Sequence, residues 1–244
     1  DALLRNVSPR TVIRLSGVNR ASNKMVKDYM DRSFSLVDLL EPFFLPDEVA
    51  GLRRMQRDLG VIISGSRALQ FFDRCSDSRS GLDLYVPSSN SASLETWLKK
   101  QGYRLHGAVS VVMGSSDDLD AAIVGTVTFR RSKNGLPIHV VSTRYSVIEA
   151  VLGFSLSCVM NIITFKEAIS FYPVPTLETR EALVNTRSFA QTRVQFLEEY
   201  QRQGWTIVDE RNVVQPPAHA DTPHLYSFCD VRCVGDKRCW TIPL

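Results

Sequence analysis

Long apolar runs are missing from this 244-residue chain: none approaches the length of a membrane span, and no signal-peptide pattern opens it. No membrane partner is expected. The chain begins at Asp1 without an initiator Met, so a targeting segment or another domain is expected to have been cut away, with the cytoplasm as the default location. A large charge excess is lacking too. Lys and Arg number 29 against 26 Asp and Glu, and the formal +3 reads as a slight excess spread over the whole chain, which neither demands nucleic acid nor excludes it. The five cysteines are odd in number and irregular in spacing, which fits reduced intracellular thiols better than a disulfide framework. His219, His224, Cys229, Cys233 and Cys239 crowd the C-terminal region but match no zinc signature. Cys229, Val231 and Cys233 alternate as one face of a strand would, so core cysteines are expected there. Low-complexity tracts, internal repeats and sharp composition breaks are absent. What remains is a chain 44% hydrophobic, long enough for one large domain or two small ones around a substantial core.

The pattern along the chain predicts an α+β fold. The first sixty residues read as helical, and in "LPDEVAGLRRMQRDLG" Val49, Leu52, Met55 and Leu59 form one stripe that Gly60 ends. "VIIS" then reads as a buried strand, "RALQFFDR" as a short helix, and "LDLYVP" as a second strand stopped by Pro87. A serine-rich turn over residues 88–93 opens the helix "LETWLKKQGY", whose Leu94, Trp97 and Leu98 share a face. "IVGTVTFRR" and "LPIHVVST" are strand candidates joined at Asn134-Gly135, a hairpin signal. Ser146 and Glu149 have capping-box spacing before "VIEAVLG". "CVMNIITF" fits a strand or a buried helix, and "RSFAQTRVQFLEEYQRQG" fits a surface helix. "WTIV", "LYSFCDVRCV" and "RCWTIPL" read as short strands.

Candidate chemistry centres on Gly65-Ser66. A strand that ends in Gly-Ser and feeds a helix lets backbone approach a phosphate, because glycine has no Cβ and the first helical N–H groups point at the anion. A plain strand-to-helix turn has the same sequence. Phosphoryl and nucleotidyl transfer need magnesium, and carboxylates two apart on one strand face the same side and reach the ions together. The following strand offers Gly81, Leu82 and Asp83 where acid, apolar, acid would be needed.

"GS" followed by "LDLYV" resembles the nucleotidyltransferase superfamily, whose signature is Gly-Gly or Gly-Ser, a helix, an acid-apolar-acid strand and a third acid on a later strand. More closely, "ISGSRALQFFDR", "SGLDLYV", "CVMN", Gly204-Trp205 and "WTIPL" are similar to a group of fungal hypothetical proteins of that fold. The resemblance implies a mixed sheet flanked by helices, with an N-terminal helical segment at 1–60, a nucleotidyltransferase-like core at 61–145, and a C-terminal extension at 146–244 packed on that core. It implies Gly65 and Ser66 at the phosphate-binding pair; Arg67, read from its adjacency to that pair, either contacts a bound phosphate or is an ordinary exposed surface residue. It puts Gly81 at the first metal carboxylate, Asp83 at the second and His139 at the third. One acid of three survives. Asp83 is then the metal and catalytic candidate, and His139 either transfers a proton, binds zinc or packs as a hydrogen-bonded core residue; it is a poor magnesium ligand. Asp73 and Asp77 lie in the connecting segment within possible approach of the site. Basic clusters at Arg53, Arg54 and Arg57, and at Arg130, Arg131 and Lys133, read as solvated surface.

Three functions compete: a non-catalytic descendant binding a nucleotide or a partner, a metal-dependent transferase using Mg2+ and a nucleoside triphosphate, and an inherited fold turned to unrelated small-molecule chemistry. The first is preferred, since loss of two acids removes most metal affinity. Nucleotide or small-molecule partners are expected, and oligomeric state is not legible.

Overall fold

The computed structural model describes residues 4, 7–74, 80–110, 122–185, 197–209 and 232–244. Four helices lead in: α1 (Pro9–Ser16), α2 (Arg20–Ser33), α3 (Leu36–Leu40) and α4 (Pro46–Leu59). Side-chain caps start the first three, with Ser8, Asn19 and Ser35 each accepting from a backbone N–H three residues on. On α4 the apolar stripe buries Val49 and Leu52, with Met55 and Leu59 packed beside them. Gln56 is also buried there, and its amide donates to the Ile163 carbonyl at 2.9 Å.

After α4 come β1 (Ile62–Ser64), α5 (Gly65–Asp73), β2 (Leu82–Pro87) and α6 (Ser91–Lys100). The strands β3 (Arg104–Ser110), β4 (Ile123–Arg130) and β5 (Ile138–Thr143) follow, then α7 (Val147–Leu152). The chain continues through β6 (Asn161–Ile163), β7 (Glu167–Ser170), β8 (Glu181–Leu183) and β9 (Thr206–Val208) to β10 (Trp240–Pro243). Eight strands form one mixed sheet in the order β10-β7-β6-β1-β2-β5-β4-β3, while β8 and β9 pair in parallel apart from it. Within the large sheet β2 and β5 run parallel and the other pairs are antiparallel. Strands from residues 61–145 and from 146–244 thus share a single sheet.

Period-2 alternation sorts the two faces. Ile63, Leu82, Leu84, Val86, Ile138 and Val140 turn to one side and pack against Leu52 of α4, Phe71 and Phe72 of α5, and Leu94 and Leu98 of α6. The opposite face holds Ile62, Tyr85 and Val141 under Val147 of α7 and Phe154.

Most elements fall where the patterning predicts. "CVMNIITF" takes a form between the two readings, a 3-10 turn at Ser157–Val159 running into β6. Ser146 caps α7 by accepting from the Ile148 N–H at 3.2 Å. The predicted strand "LYSFCDVRCV" lies largely outside the described residues, and its described end, residues 232–234, is not strand.

Candidate cleft at the first turn of α5

Gly65 carries the turn from β1 into α5 with φ of 68°. A Cβ on it would sit 2.3 Å from Asp83 Oδ2, so the carboxyl of β2 packs directly on this residue. Glycine is needed twice here, for the left-handed backbone and for the space. Ser64 stands at the cap position of α5, but its hydroxyl donates to the Asn161 carbonyl at 2.6 Å and caps nothing. The opening amides of α5 are therefore left without a side-chain cap.

Strand pairing builds a polar row across the same face. Ser64 lies opposite Asp83, Asp83 is level with His139, and His139 is level with Thr128. Thr128 Oγ1 and His139 Nδ1 are 3.0 Å apart, which fixes the ring and leaves Nε2 directed toward β2, close to Gly81. Burial, aided by the Arg130 charge, lowers the His139 pKa, so the imidazole favours its neutral form. Asp83 is partly buried, and desolvation pushes its carboxyl up to about 6. Tyr85, one strand step away, is pushed up by burial and then by the Asp83 charge.

An acid whose folded pKa exceeds its unfolded value of 3.8 holds its proton more tightly in the folded state. Asp83 then costs nothing below about pH 4, and the penalty grows with pH until it is complete above about pH 6, at roughly 2–3 kcal/mol. Asp83→Asn is expected to raise stability by about 1–3 kcal/mol at pH 8 and to change little at pH 4. Denaturant unfolding of both proteins across that pH range checks it; an Asn variant less stable at every pH would mean that the carboxylate makes favourable bonds.

At Gly81, where the resemblance expects a first carboxylate, the space is closed. A Cβ on Gly81 would meet Pro137 Cγ and the Pro137 carbonyl oxygen at 2.9 Å each, and His139 Nε2 at 3.2 Å. Among the described residues no group of three His, Cys, Asp or Glu side chains could hold a metal ion. A magnesium pair does not fit: one carboxylate and one imidazole supply too few oxygens, and the neighbouring position admits no acid without moving backbone. Asp73 does not supplement them, since its Oδ2 accepts from Arg180 Nη1 at 3.0 Å. Asp77 lies outside the described residues.

Ser66 and Arg67 part company. The Arg67 side chain is 3% exposed, with Nε and Nη2 donating to the Ser80 carbonyl at 3.2 and 2.7 Å and Nη1 to Gln70 Oε1 at 3.2 Å. Its guanidinium also lies over the Phe43 ring, 4.8 Å from the centroid. To contact a phosphate it would have to leave those partners; where it stands it braces the entry to β2. Ser66 instead lines a cavity of about 480 Å³ with Gln70, Asp73, Arg180, Tyr200 and Trp205. Arg180 takes a left-handed backbone at φ of 54°, just after a π-helical turn at Val174–Thr179, and lays its guanidinium over the Trp205 ring at 4.7 Å. Strained non-glycine residues and π-helical turns both concentrate at functional sites.

The structure thus brings Gly65 against Asp83 and sets Asp83 level with His139, while Ser66, next in the chain, lines a cavity with Tyr200, Arg180 and Trp205, which the sequence does not assign to the site. Gly204-Trp205 is visible as a motif, yet nothing in its spacing tells which helix it packs on. Arg53 donates to the Thr164 and Phe165 carbonyls, and Arg131 pairs with Glu48 at 2.7 Å, so both basic clusters include structural members.

No family model matches the chain, and no curated protein matches it. Solved structures of CCA-adding enzymes are similar in fold. The Thermotoga maritima CCA-adding enzyme complexed with tRNA aligns at 17% identity with a TM-score of 0.48, covering 72% of this chain and 43% of that one. A CCA-adding enzyme complex with CTP aligns at 18% identity with a TM-score of 0.45, covering 71% and 42%. The complex with ATP gives 17% and 0.46, covering 70% and 41%. This chain spans about two-fifths of the length of those enzymes.

Proposed function

We propose that this nucleotidyltransferase-like protein binds a nucleotide at the Gly65–Ser66 turn without metal-dependent nucleotidyl transfer. The observation that carries the reading is the pairing of a closed first-carboxylate position at Gly81 with an uncapped helix start beside a cavity. Phosphate oxygens approach the opening amides of α5 and the Ser66 hydroxyl, where backbone and hydroxyl donors and the helix dipole favour an anion. Arg180 supplies positive charge. Its pair with Asp73 is partly exposed and contributes at most about 1 kcal/mol, so exchanging the carboxylate for a phosphate costs little. Asp83, protonated near pH 6, limits repulsion of that anion as the pH falls.

Ser66→Ala combined with Arg180→Ala is expected to weaken nucleotide binding by about 1–3 kcal/mol, roughly 10- to 100-fold, with little loss of stability. Arg67→Ala should do the reverse, lowering stability by about 1.5–3 kcal/mol through the lost charge-assisted bonds. Titration calorimetry and thermal melts on the three proteins separate the roles. Unchanged affinity in the double variant would move the nucleotide elsewhere.

One observation favours a second reading, unrelated metal-free chemistry in an inherited fold: Asp83 and His139 stand level on adjacent strands, and Thr128 orients the imidazole as a general acid or base requires. Loss of nucleotide binding together with an Asp83-dependent turnover of another small molecule would favour that reading.

A further inference from the structure

The net positive charge of the chain is not spread along it. Helices α1 and α2 carry six cations, Arg10, Arg14, Arg20, Lys24, Lys27 and Arg32, against two carboxylates, Asp28 and Asp31, so residues 9–33 hold a net +4 where the whole chain holds +3. All six cations are exposed. The reason is the packing of the pair: Val12, Val26, Tyr29 and Leu4 form their own buried cluster, which turns the charged stripes outward. On α2, Arg20, Lys24 and Lys27 follow the i, i+4, i+7 rule and make one stripe about 10 Å long at the helical rise per residue. Arg10 with Arg14, and Arg20 with Lys24, are like charges four apart, an arrangement that slightly destabilises a helix. Among the described residues Arg10, Arg14, Arg20, Lys24 and Lys27 form no ion pair. A polyanion laid on this face would remove that repulsion.

We propose that the exposed face of α1 and α2 docks the phosphodiester backbone of a nucleic acid. A membrane surface fits less well, because the apolar stripes of both helices are already buried against each other. Of the large apolar side chains of the pair only Ile13, Val18 and Met25 remain exposed, too few to anchor an inserted helix. The surface is also tied to the cleft. Arg74, directly after α5, donates to the Leu4 and Val7 carbonyls at 3.2 and 3.4 Å and to the Tyr29 hydroxyl at 2.5 Å. The basic pair is thereby fastened to one end of the helix whose other end is the Gly65 turn. The nine residues of α5 span about 13 Å, so a docked strand runs within reach of the cleft.

The test uses the full chain with fluorescent RNA and DNA oligonucleotides and vesicles containing phosphatidylserine, over a salt series. A triple charge reversal, Arg20→Glu, Lys24→Glu and Lys27→Glu, should weaken oligonucleotide binding at least about tenfold and flatten the plot of log affinity against log salt by about 2–3. Nucleotide binding at the cleft and the far-UV circular dichroism spectrum should not change. Comparable RNA and DNA affinities support backbone docking, and a strong preference for one supports it with that polymer as the partner. The proposal is overturned if the parent binds neither oligonucleotide, if the triple variant binds both as the parent does, or if only vesicles bind.

Discussion

Gly65→Ala is expected to destabilise the protein by about 2–5 kcal/mol, the left-handed backbone contributing about 1–2 and the overlap with Asp83 about 1–3. For a chain of this size that is a fall in Tm of roughly 5–15 °C. The two contributions are separable. In the Gly65→Ala, Asp83→Ala pair the carboxylate that would lie 2.3 Å from the new methyl is gone, so only the backbone cost should remain. A double-mutant cycle should therefore return a favourable coupling of about 1–3 kcal/mol. Strict additivity would mean that the turn and the carboxylate do not touch in solution.

The second large effect concerns the closed position. Placing acids at both positions with Gly81→Asp and His139→Asp is expected to destabilise the protein by about 2–4 kcal/mol, because the new Cβ at 81 meets the Pro137 carbonyl and ring, and three neighbouring carboxyls repel one another. Manganese binding should stay weak in this variant. Adding Pro137→Ala removes the ring contact at 2.9 Å but not the carbonyl contact at the same distance, so recovery should be partial. Unfolding curves and manganese titrations by electron paramagnetic resonance check both parts. A stable double variant with tight manganese binding would show that the cleft retains room for its acids.

Sequence made the strands and the turn legible because both depend on local rules. "VIISGS" combines a β-branched run with a glycine that only a special backbone needs, and "LDLYVP" alternates Leu82, Leu84 and Val86 on one face with Asp83 and Tyr85 on the other, up to a proline that ends it. Arg67 shows where adjacency misleads. It follows Ser66 by one residue, but successive helical residues point about 100° apart, and that step turns its side chain toward Phe43 and Ser80 instead of the cavity. Tyr200, Arg180 and Trp205 were beyond reach for a different reason: more than a hundred residues separate them from Ser66, and no periodicity encodes which distant elements meet. Composition hid the basic helical pair, since a total of +3 over 244 residues does not tell that residues 9–33 alone hold +4. That residue 81 is not an acid was visible in the sequence, but only the register of β2 on β5 shows that Pro137 fills the space.

The account turns on whether the cleft binds nucleotide without metal. Calorimetric titration of the protein with CTP and ATP, in EDTA and again in excess magnesium or manganese, with pyrophosphate assayed in the same samples, tests this most directly. The account predicts binding of similar affinity in both conditions and no pyrophosphate above background. Binding that appears only with metal, accompanied by pyrophosphate release, would contradict it.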